Sequence, residues 1–377
     1  MKIGFDAKKA VKNLTGIGNY SRRCVNALLR YGGSDVTPLL YAAVPGRPEA
    51  LRQLETGYRL VCPSPLFRKG LLGEWWRCRR VCRDIRRHRL DIYHGLSNEL
   101  PFGIRKTGCK SVVTIHDLIF LKRPDTYGFL ARHILQWKTR YACRVADSIV
   151  AISDTTKRDL VELYGVDEKR ITLVYQSISP AFSQKADETQ RKQVREKYCL
   201  PLRYILCVGT IERRKNQLCL VRALAEQEDD THLVLVGRGT PYLDEILAEA
   251  GRLQVTRRVH VLHDVSSHDL PAVYQLASVF CLMSVYEGFG LPVAEALASE
   301  VPVIAAKGSC LEEAGGPGSV YLDAHDAQGV AAAIRRILED KACAEEMVRQ
   351  GREYVRRFSD QAMAGQLLNL YHSLKNA

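Results

Sequence analysis

Short apolar runs alternate with amphipathic segments along nearly the whole chain. The apolar runs predict β-strands over residues 2–6, 36–41, 91–94, 111–116, 148–152, 204–209, 232–237, 259–263, 279–283 and 301–305. The segments between them carry helical patterns, for example over residues 19–31, 71–87 and 129–146. Because the strands do not alternate with polar residues and helices follow them, we expect parallel strands that are buried on both faces. The pattern therefore predicts an α/β fold.

The strands fall into two series, which the polar residues 176–201 separate. A length of 377 residues also suggests two domains. We therefore predict a Rossmann-like domain over residues 1–180 and a second one over residues 181–359, facing one another. After Val320 the pattern is wholly helical, and the last helix, about residues 360–377, can pack back on the first domain.

Composition excludes several classes of protein. Hydrophobic residues make up 46% of the chain, so it is not predominantly disordered, and no apolar run is long enough to span a membrane. The N-terminus lacks the apolar core of a signal peptide, which predicts a cytoplasmic protein. The 12 cysteines include no CxxC pair and predict neither a disulfide scaffold nor a zinc site. The net charge of +13 indicates an anionic partner: nucleic acid, a membrane surface or a phosphorylated substrate.

The most informative segment follows the predicted strand 279–283 and reads YEGFGLPVAEA over residues 286–296. Its two glycines predict a turn, and the proline that follows suits the first turn of a helix. The amides of Phe289, Gly290 and Leu291 would then open a helix N-terminus, which is a site for a phosphate. Glu287 and Glu295 flank this anion site.

With these glycines between its two glutamates, the segment resembles the EX7E motif of glycosyltransferase family 4. These are retaining nucleotide-sugar glycosyltransferases with the GT-B fold of two Rossmann-like domains. The resemblance implies that Glu295 binds the ribose hydroxyls of the donor and that Glu287 reaches the donor sugar. The resemblance covers most of the chain, and the matching segments follow one another in the order expected for the family.

Residues 209–216, GTIERRKN, follow the first strand of the second domain. The family usually has an arginine directly after this glycine and a lysine a few residues later, which neutralise the diphosphate leaving group. Lys215 matches the lysine, whereas Thr210 occupies the place of the arginine. Either Arg213 or Arg214 can supply the missing charge, and a solvated basic turn is the alternative for each.

Other positions match the family less specifically. Gly16 and Gly18 form a GxG before the first long helix, which Asn19 would cap, and the family places this loop against the donor diphosphate and the acceptor. A plain tight turn is the alternative. Further donor-side positions, against the alternatives of a helix cap and a surface carboxylate, are Gly237, Arg238, Gly239 and Glu313.

Histidines end two of the predicted strands. His116, followed by Asp117, matches the active-site histidine of the family, which approaches the donor sugar. His94, with Asn98 and Glu99 after it, is a candidate for the acceptor side. For both histidines the alternative is a hydrogen-bonded structural residue.

The predicted helix 71–87 is strongly basic. On a wheel of 100° per residue, its core face contains Leu71, Trp75, Cys78, Val81, Cys82 and Ile85. Trp76 lies among arginines on the opposite side, which indicates an interfacial membrane helix, and a solvated basic face is the alternative. The residues predicted to contact an anionic cytoplasmic membrane are Trp76, Arg79, Arg80 and Arg83.

Taken together, these features predict a cytoplasmic enzyme, peripheral to the inner membrane, that transfers a hexose to a glycan or polyprenyl-linked glycan. Lys215, Glu287 and His116 are the predicted catalytic residues. Similarity to bacterial surface-polysaccharide enzymes favours mannose from GDP-mannose. No cofactor or metal is expected, since the chain has no DxD motif. The alternatives are another GT-B enzyme, such as an epimerase or a phosphorylase, and a basic nucleic-acid-binding protein, for which no recognisable module is found.

Overall fold

The structure, a computed structural model, describes residues 1–68, 70–228 and 230–376. The chain folds into two compact units. One contains residues 1–177 and the C-terminal segment from Asp360, and the other contains residues 178–359. Each is built on its own parallel sheet, which confirms the predicted fold class.

The sheet of the first unit has seven parallel strands in the order β3-β2-β1-β4-β5-β6-β7. The central strands are almost fully buried, as the unbroken apolar runs predicted. The strands are β1 (Lys2–Asp6), β2 (Thr37–Tyr41), β3 (Arg59–Val61), β4 (Ile92–Gly95), β5 (Lys110–Ile115), β6 (Ser148–Ala151) and β7 (Ile171–Leu173).

Helices connect these strands. They are α1 (Lys8–Lys12), α2 (Gly16–Tyr31), α3 (Pro48–Leu51), α4 (Gly70–Trp75), α5 (Val81–His88), α6 (Ile119–Lys122), α7 (Phe129–Val145) and α8 (Asp154–Tyr164). Short 3₁₀ turns lie at Gly33–Asp35, Pro65–Phe67, Ile104–Lys106, Pro124–Thr126 and Glu168–Arg170.

The second unit has six parallel strands in the order β10-β9-β8-β11-β12-β13. They are β8 (Tyr204–Val208), β9 (His232–Val236), β10 (Val259–Leu262), β11 (Val279–Leu282), β12 (Val303–Ala306) and β13 (Val320–Leu322). The helices are α9 (Glu188–Lys197), α10 (Gln217–Ala225), α11 (Tyr242–Arg252), α12 (Leu270–Gln275), α13 (Leu291–Ala298), α14 (Cys310–Gly315), α15 (Ala327–Glu339) and α16 (Lys341–Tyr354). Its 3₁₀ turns lie at Pro180–Ser183, Arg213–Lys215, Thr256–Arg258 and Val355–Phe358.

The last helix, α17 (Asp360–Asn376), belongs to the first unit and packs on α2. Its first residue, Asp360, pairs with Arg23 at 2.7 Å and with Arg30 at 3.2 Å. Near its other end, the hydroxyl of Tyr371 lies 2.6 Å from Nδ1 of His94 in the interior. Polar contacts therefore join both ends of α17 to the first sheet and its helices.

Three strands, β3, β7 and β13, were not predicted. Each has three residues and lies at the edge of its sheet, where no more than one residue is buried. An edge strand of this length leaves no continuous apolar run in the sequence. The prediction of a wholly helical chain after Val320 is wrong for this reason.

The helix predicted over residues 71–87 is interrupted, because residues Trp76–Arg80 form a π-helical turn between α4 and α5. A π-turn inserts one extra residue, so it shifts the phase of the wheel on its N-terminal side by one position. Leu71 and Trp75, which were predicted to be buried, are 90% and 46% exposed. The predicted outward position of Trp76 is wrong: it is 1% exposed, and its Nε1 donates to Asp84 at 3.0 Å.

No helix among the residues described is both long and apolar enough to cross a bilayer.

Candidate functional site

The order of the second sheet reverses between β8 and β11, its two central strands. At such a switch point the loops after the two strands diverge and leave a crevice, where α/β proteins bind ligands. The loop after β8 carries the GTIERRKN segment, and the loop after β11 carries the first glutamate of the YEGFGLPVAEA segment. The topology therefore brings the two motifs together.

Two glycines make this approach possible. A Cβ on Gly209 would lie 2.8 Å from Cε of Lys215, whose side chain crosses over the glycine. A Cβ on Gly237 would lie 2.0 Å from the carbonyl oxygen of Gly209. Any larger residue at either position would push the lysine or the β8 loop away. Gly237 therefore acts through packing.

The loops after β8 and β9 are also joined by backbone hydrogen bonds. The amide of Ile211 donates to the carbonyl oxygen of Arg238 at 2.9 Å. The carbonyl oxygen of Thr210 accepts from Nε2 of Gln217 at 3.2 Å. Thr210, half-buried at the position of the usual arginine, therefore contributes backbone contacts to the loop and no charge.

Glu287 is the centre of a buried charge cluster. Its Oε1 lies 2.8 Å from Nζ of Lys215, and its Oε2 lies 2.8 Å from a guanidinium nitrogen of Arg214. The hydroxyl of Ser284 donates to the same Oε1 at 2.8 Å. Burial by itself would raise the pKa of Glu287, but the two cations outweigh it and lower that pKa to about 2. The carboxylate is therefore ionised at neutral pH.

Arg213 and Arg214 differ sharply in their surroundings. The Arg214 side chain is 11% exposed and also donates to the carbonyl oxygen of Tyr286 and to Glu212, each at 2.6 Å. Burial would lower its pKa, but Glu287 and Glu212 raise it well above the usual value. The Arg213 side chain is 68% exposed and pairs with Glu245. The cation beside Lys215 is therefore Arg214.

The glycine turn leads directly into α13. Gly290 has a φ of 105°, and a Cβ there would lie 2.6 Å from the side chain of Leu311. Phe289 is buried against Phe358, with ring centroids 5.2 Å apart, while Leu291 is the first residue of the helix. The Phe289 side chain thus anchors the turn in the core, so the groups available at the start of α13 are backbone amides.

Glu295 lies one turn inside α13 and is half-buried. Its Oε2 accepts a hydrogen bond from the hydroxyl of the buried Tyr274 at 3.0 Å. That bond fixes the orientation of the carboxylate. Glu313, on α14, is also half-buried, and its backbone carbonyl accepts from the hydroxyl of Tyr354 at 2.8 Å.

In the first unit, His94 is the last residue but one of β4 and is completely buried. Its Nδ1 lies 2.6 Å from the hydroxyl of Tyr371, and its Nε2 lies 2.8 Å from the hydroxyl of Thr114. Burial, with a smaller effect from His116, lowers the pKa of His94 to about 3. These contacts favour the alternative of a structural histidine over an acceptor-lining one.

His116 follows β5 and is also buried. Its Nε2 lies 2.8 Å from the carbonyl oxygen of Leu96, so this nitrogen carries the proton and Nδ1 carries the lone pair. Burial lowers the pKa of His116 to about 4, and the ring is neutral at pH 7. Asn98, in the left-handed region at φ 59°, accepts from the His116 amide at 2.9 Å and holds this backbone in place.

Glu99 belongs to an ionic network around Arg77. The Arg77 side chain is 5% exposed and contacts Asp6 at 2.8 Å, Glu74 at 2.9 Å and Glu99 at 2.5 Å. Lys138 of α7 also pairs with Glu99, at 3.3 Å. Burial would lower the pKa of Arg77, but the three carboxylates raise it well above the usual value. The arginines of the predicted helix 71–87 were expected opposite its core face, which is wrong for Arg77 because it lies buried in the π-turn.

Gly16 and Gly18 lie within the first turn of α2, which begins at Gly16, so Asn19 is not the cap of this helix. A Cβ on Gly18 would lie 1.9 Å from the carbonyl oxygen of Asn13, whereas nothing lies within 4 Å of one on Gly16. The buried Arg22 donates to the same Asn13 oxygen at 2.6 Å. Gly18 is therefore required for close packing, and Gly16 is not.

Two family descriptions match consecutive parts of the chain. "Glycosyltransferase Family 4" matches residues 14–182, and "Glycosyl transferases group 1" matches residues 190–354. The chain belongs to glycosyltransferase family 4.

Known members of the family extend this result. The glycosyltransferase is 28% identical over 394 residues to the O-antigen chain mannosyltransferase B of Escherichia coli, covering 99% of this chain and 100% of that protein. It is 25% identical to the O-antigen chain mannosyltransferase RfbU of Salmonella typhimurium over 63% of this chain and 66% of that protein.

Solved structures share its fold. Sucrose-phosphate synthase from Thermosynechococcus elongatus has a TM-score of 0.78 at 22% identity, with 99% of both chains covered. Anabaena Alr3699/HepE in complex with UDP-glucose has a TM-score of 0.76 at 18% identity, covering 99% of this chain and 100% of that one. The GT-B architecture predicted from the sequence is thus the fold of this glycosyltransferase.

Two features of the glycosyltransferase were missed or left open by the sequence analysis. Asp6, at the end of β1, is buried against Arg77, and the signal available was a carboxylate at the carboxyl end of a central strand. The choice of Arg214 over Arg213 depends on burial, which adjacent residues in a turn do not reveal. Among the described residues, no group of three or more His, Cys, Asp or Glu side chains could hold a metal ion.

Proposed function

We propose that this glycosyltransferase moves mannose from GDP-mannose to a hydroxyl of a glycan or polyprenyl-linked glycan, with retained anomeric configuration. The observation that carries the reaction type is the convergence of Arg214 and Lys215 on Glu287 at the switch point of the second sheet. The sugar and the pathway rest on the full-length similarity to an O-antigen chain mannosyltransferase.

The two cations would bind the diphosphate. When the bond between the sugar and the diphosphate breaks, negative charge grows on the leaving phosphate oxygen, and fixed cations stabilise it without reorganising. Lys215 is held over Gly209, and Arg214 is held by Glu212 and the Tyr286 carbonyl, so both are fixed in place in advance. The amides at the start of α13 would add hydrogen-bond donors for the same phosphates.

The two glutamates of the motif would divide the rest of the donor. Glu295, oriented by Tyr274, would accept hydrogen bonds from the ribose hydroxyls. Glu287 lies between the two cations, 2.8 Å from each. It would also accept a hydrogen bond from a hydroxyl of the donor sugar. His116, in the first unit, is neutral at physiological pH. Its Nδ1 would therefore act as a hydrogen-bond acceptor, and the ring would contribute no charge.

Donor identity is tested by thermal shift against GDP-mannose, UDP-glucose, ADP-glucose and dTDP-glucose. A ligand that binds the native state alone raises its stability, so the native donor should give the largest shift in Tm. Transfer is then followed with labelled donor, and the anomeric configuration of the product is assigned by NMR. A larger shift with UDP-glucose than with GDP-mannose, or an inverted product, would overturn the corresponding part of the proposal.

A further inference from the structure

The first unit exposes large apolar side chains in two segments. One comprises the turn Pro65–Phe67 with α4, and the other is the first half of α7. More than half of the large apolar side chains that are exposed among the described residues lie in these segments, including Leu71 at 90%, Phe129 at 74% and Trp137 at 60%. We refer to them as the apolar face, which consists of Leu66, Leu71, Leu72, Trp75, Phe129, Leu130, Ile134 and Trp137.

The two segments are linked through Phe102, which contacts the π-turn after α4 on one side and α7 on the other. The Phe102 amide donates to the carbonyl oxygen of Cys78, in the π-turn, at 2.6 Å. On its other side, the Phe102 ring lies 5.0 Å from the Trp137 ring and 4.7 Å from the Tyr141 ring of α7. Glu99 makes a second connection, because it pairs with both the π-turn and α7. Clustered apolar exposure of this kind marks an interaction site, unlike scattered single residues.

The charges around the apolar face are almost all positive. Helix α7 contains no Asp or Glu, and its basic residues are Arg132, Lys138, Arg140 and Arg144. Six arginines lie between Gly70 and His88, against two carboxylates. Those two are already engaged, since Glu74 pairs with Lys8 and Arg77, and Asp84 accepts from Trp76. The matching partner is therefore anionic and has an apolar layer.

We propose that the apolar face docks this enzyme on an anionic lipid bilayer. Leu, Phe and Trp side chains would enter the boundary between headgroups and acyl chains, while arginines contact the lipid phosphates, as in interfacial amphipathic helices. A second copy of the chain fits this surface less well, because self-association would bring the arginines of both copies together. The surface differs from the one predicted around Trp76, which is buried.

The apolar face is connected to Glu99, the carboxylate that was predicted for the acceptor side. Arg77 lies in the π-turn directly after α4 and contacts Asp6, the last residue of β1, and Glu99, in the loop after β4. A bilayer that holds α4 and α7 would thus lie next to Glu99. The role of docking in catalysis rests on the proposed function, in which the acceptor is a polyprenyl-linked glycan.

Vesicle co-sedimentation of the full chain, without donor or acceptor, tests docking separately from catalysis. Vesicles of phosphatidylcholine with about 30% phosphatidylglycerol are compared with phosphatidylcholine alone, at about 0.1 M and about 0.5 M salt. The variant L71S/F129S/L130S removes side chains that are at least 71% exposed, so it should remain folded. The control is L202S, which changes a residue that is 85% exposed in the second unit.

We expect wild type and L202S to bind the anionic vesicles at low salt, and the triple variant to lose about tenfold in partition coefficient. The charge variant R79E/R140E should lose the preference for phosphatidylglycerol, because both arginines are exposed. Wild type that stays in the supernatant with anionic vesicles at low salt overturns the proposal. So does a triple variant that binds like wild type, or one whose main effect is to convert a wild-type dimer into a monomer. Thermal shifts with the donor should be unchanged in the triple variant, so loss of docking and failure of the proposed reaction are distinguishable.

Discussion

Replacement of Glu287 by glutamine removes the negative charge that Arg214 and Lys215 share, with little change in side-chain volume. The Arg214 and Lys215 side chains are 11% and 9% exposed, so the substitution would leave two buried cations facing a neutral amide. Removing one partner of a buried ion pair typically costs about 3–5 kcal/mol of unfolding free energy. We therefore expect Glu287→Gln to destabilise the protein markedly while the site keeps its shape.

The lowered pKa of Glu287 leads independently to a figure of similar size. Its pKa is about 2 in the folded protein against an ordinary value of 4.5, and each pKa unit corresponds to about 1.4 kcal/mol, or about 3 kcal/mol in all. Because the folded-state pKa is lowered, this stabilisation is complete above about pH 4.5 and is lost as the pH falls through about 2. Both arguments lead to an expected loss of about 3 kcal/mol at pH 7.

Urea unfolding of the full chain, followed by far-UV circular dichroism at pH 7, measures this loss. The matched control is Glu245→Gln, which removes the partner of the 68%-exposed Arg213 on the same loop and should cost less than about 1 kcal/mol. The difference between wild type and Glu287→Gln should shrink between pH 4.5 and pH 3, because the carboxylate takes up a proton in the unfolded wild type while it stays ionised in the folded protein. A loss below about 1 kcal/mol at pH 7, equal to that of the control, would refute the view that Glu287 balances the two cations.

The catalytic assignment predicts that Arg214→Ala lowers kcat about 10²–10³-fold, whereas Arg213→Ala stays within about threefold of wild type. Steady-state kinetics of folded variants would contradict it if the two effects were equal or reversed. Glu295→Ala should weaken donor binding by roughly 1.5–3 kcal/mol, because the ribose loses a charged acceptor. Calorimetry that finds an unchanged Kd would rule out the ribose contact. The lowered pKa of His94 means that the unfolded state takes up the proton first below pH 6.5, so stability falls as the pH decreases toward about 3. The stability advantage of wild type over His94→Asn should therefore shrink by about 2 kcal/mol between pH 6.5 and 5, measured by urea unfolding, and an unchanged advantage would show that His94 is not held neutral.

Buried parallel strands could be predicted because their signal is local. The runs at β8 and β11 are apolar without alternation, and both strands lie at the centre of their sheet, where both faces are covered. The site at the second switch point follows from the same information, since a motif after each of two central strands must meet the other there. Edge strands such as β3 lack this signal, because one side of the strand has no neighbour.

Contacts between distant segments could not be predicted in this way. The sequence offers His94 as a chemical group at a strand end, but Tyr371, which lies 277 residues further along the chain, is its hydrogen-bond partner. Similarly, Arg213 and Arg214 are adjacent residues of the same type. They differ in burial because Arg214 contacts Glu287 and Tyr286, which come from another loop. Burial at such positions depends on tertiary packing and not on the neighbouring residues.

Helix faces show the same dependence on distant contacts. In α7, Leu130, Ile134 and Trp137 recur at the spacing of a core stripe, yet all three are exposed. At the end of α4, the π-turn displaces the buried position by one residue, from Trp75 to Trp76. A helical wheel assumes an unbroken helix whose apolar stripe faces the core, and each of these helices violates one of those assumptions. The signal in the sequence that distinguishes α7 from a core helix is electrostatic: its seventeen residues include four Arg or Lys and no Asp or Glu, a composition that suits the anionic partner proposed above.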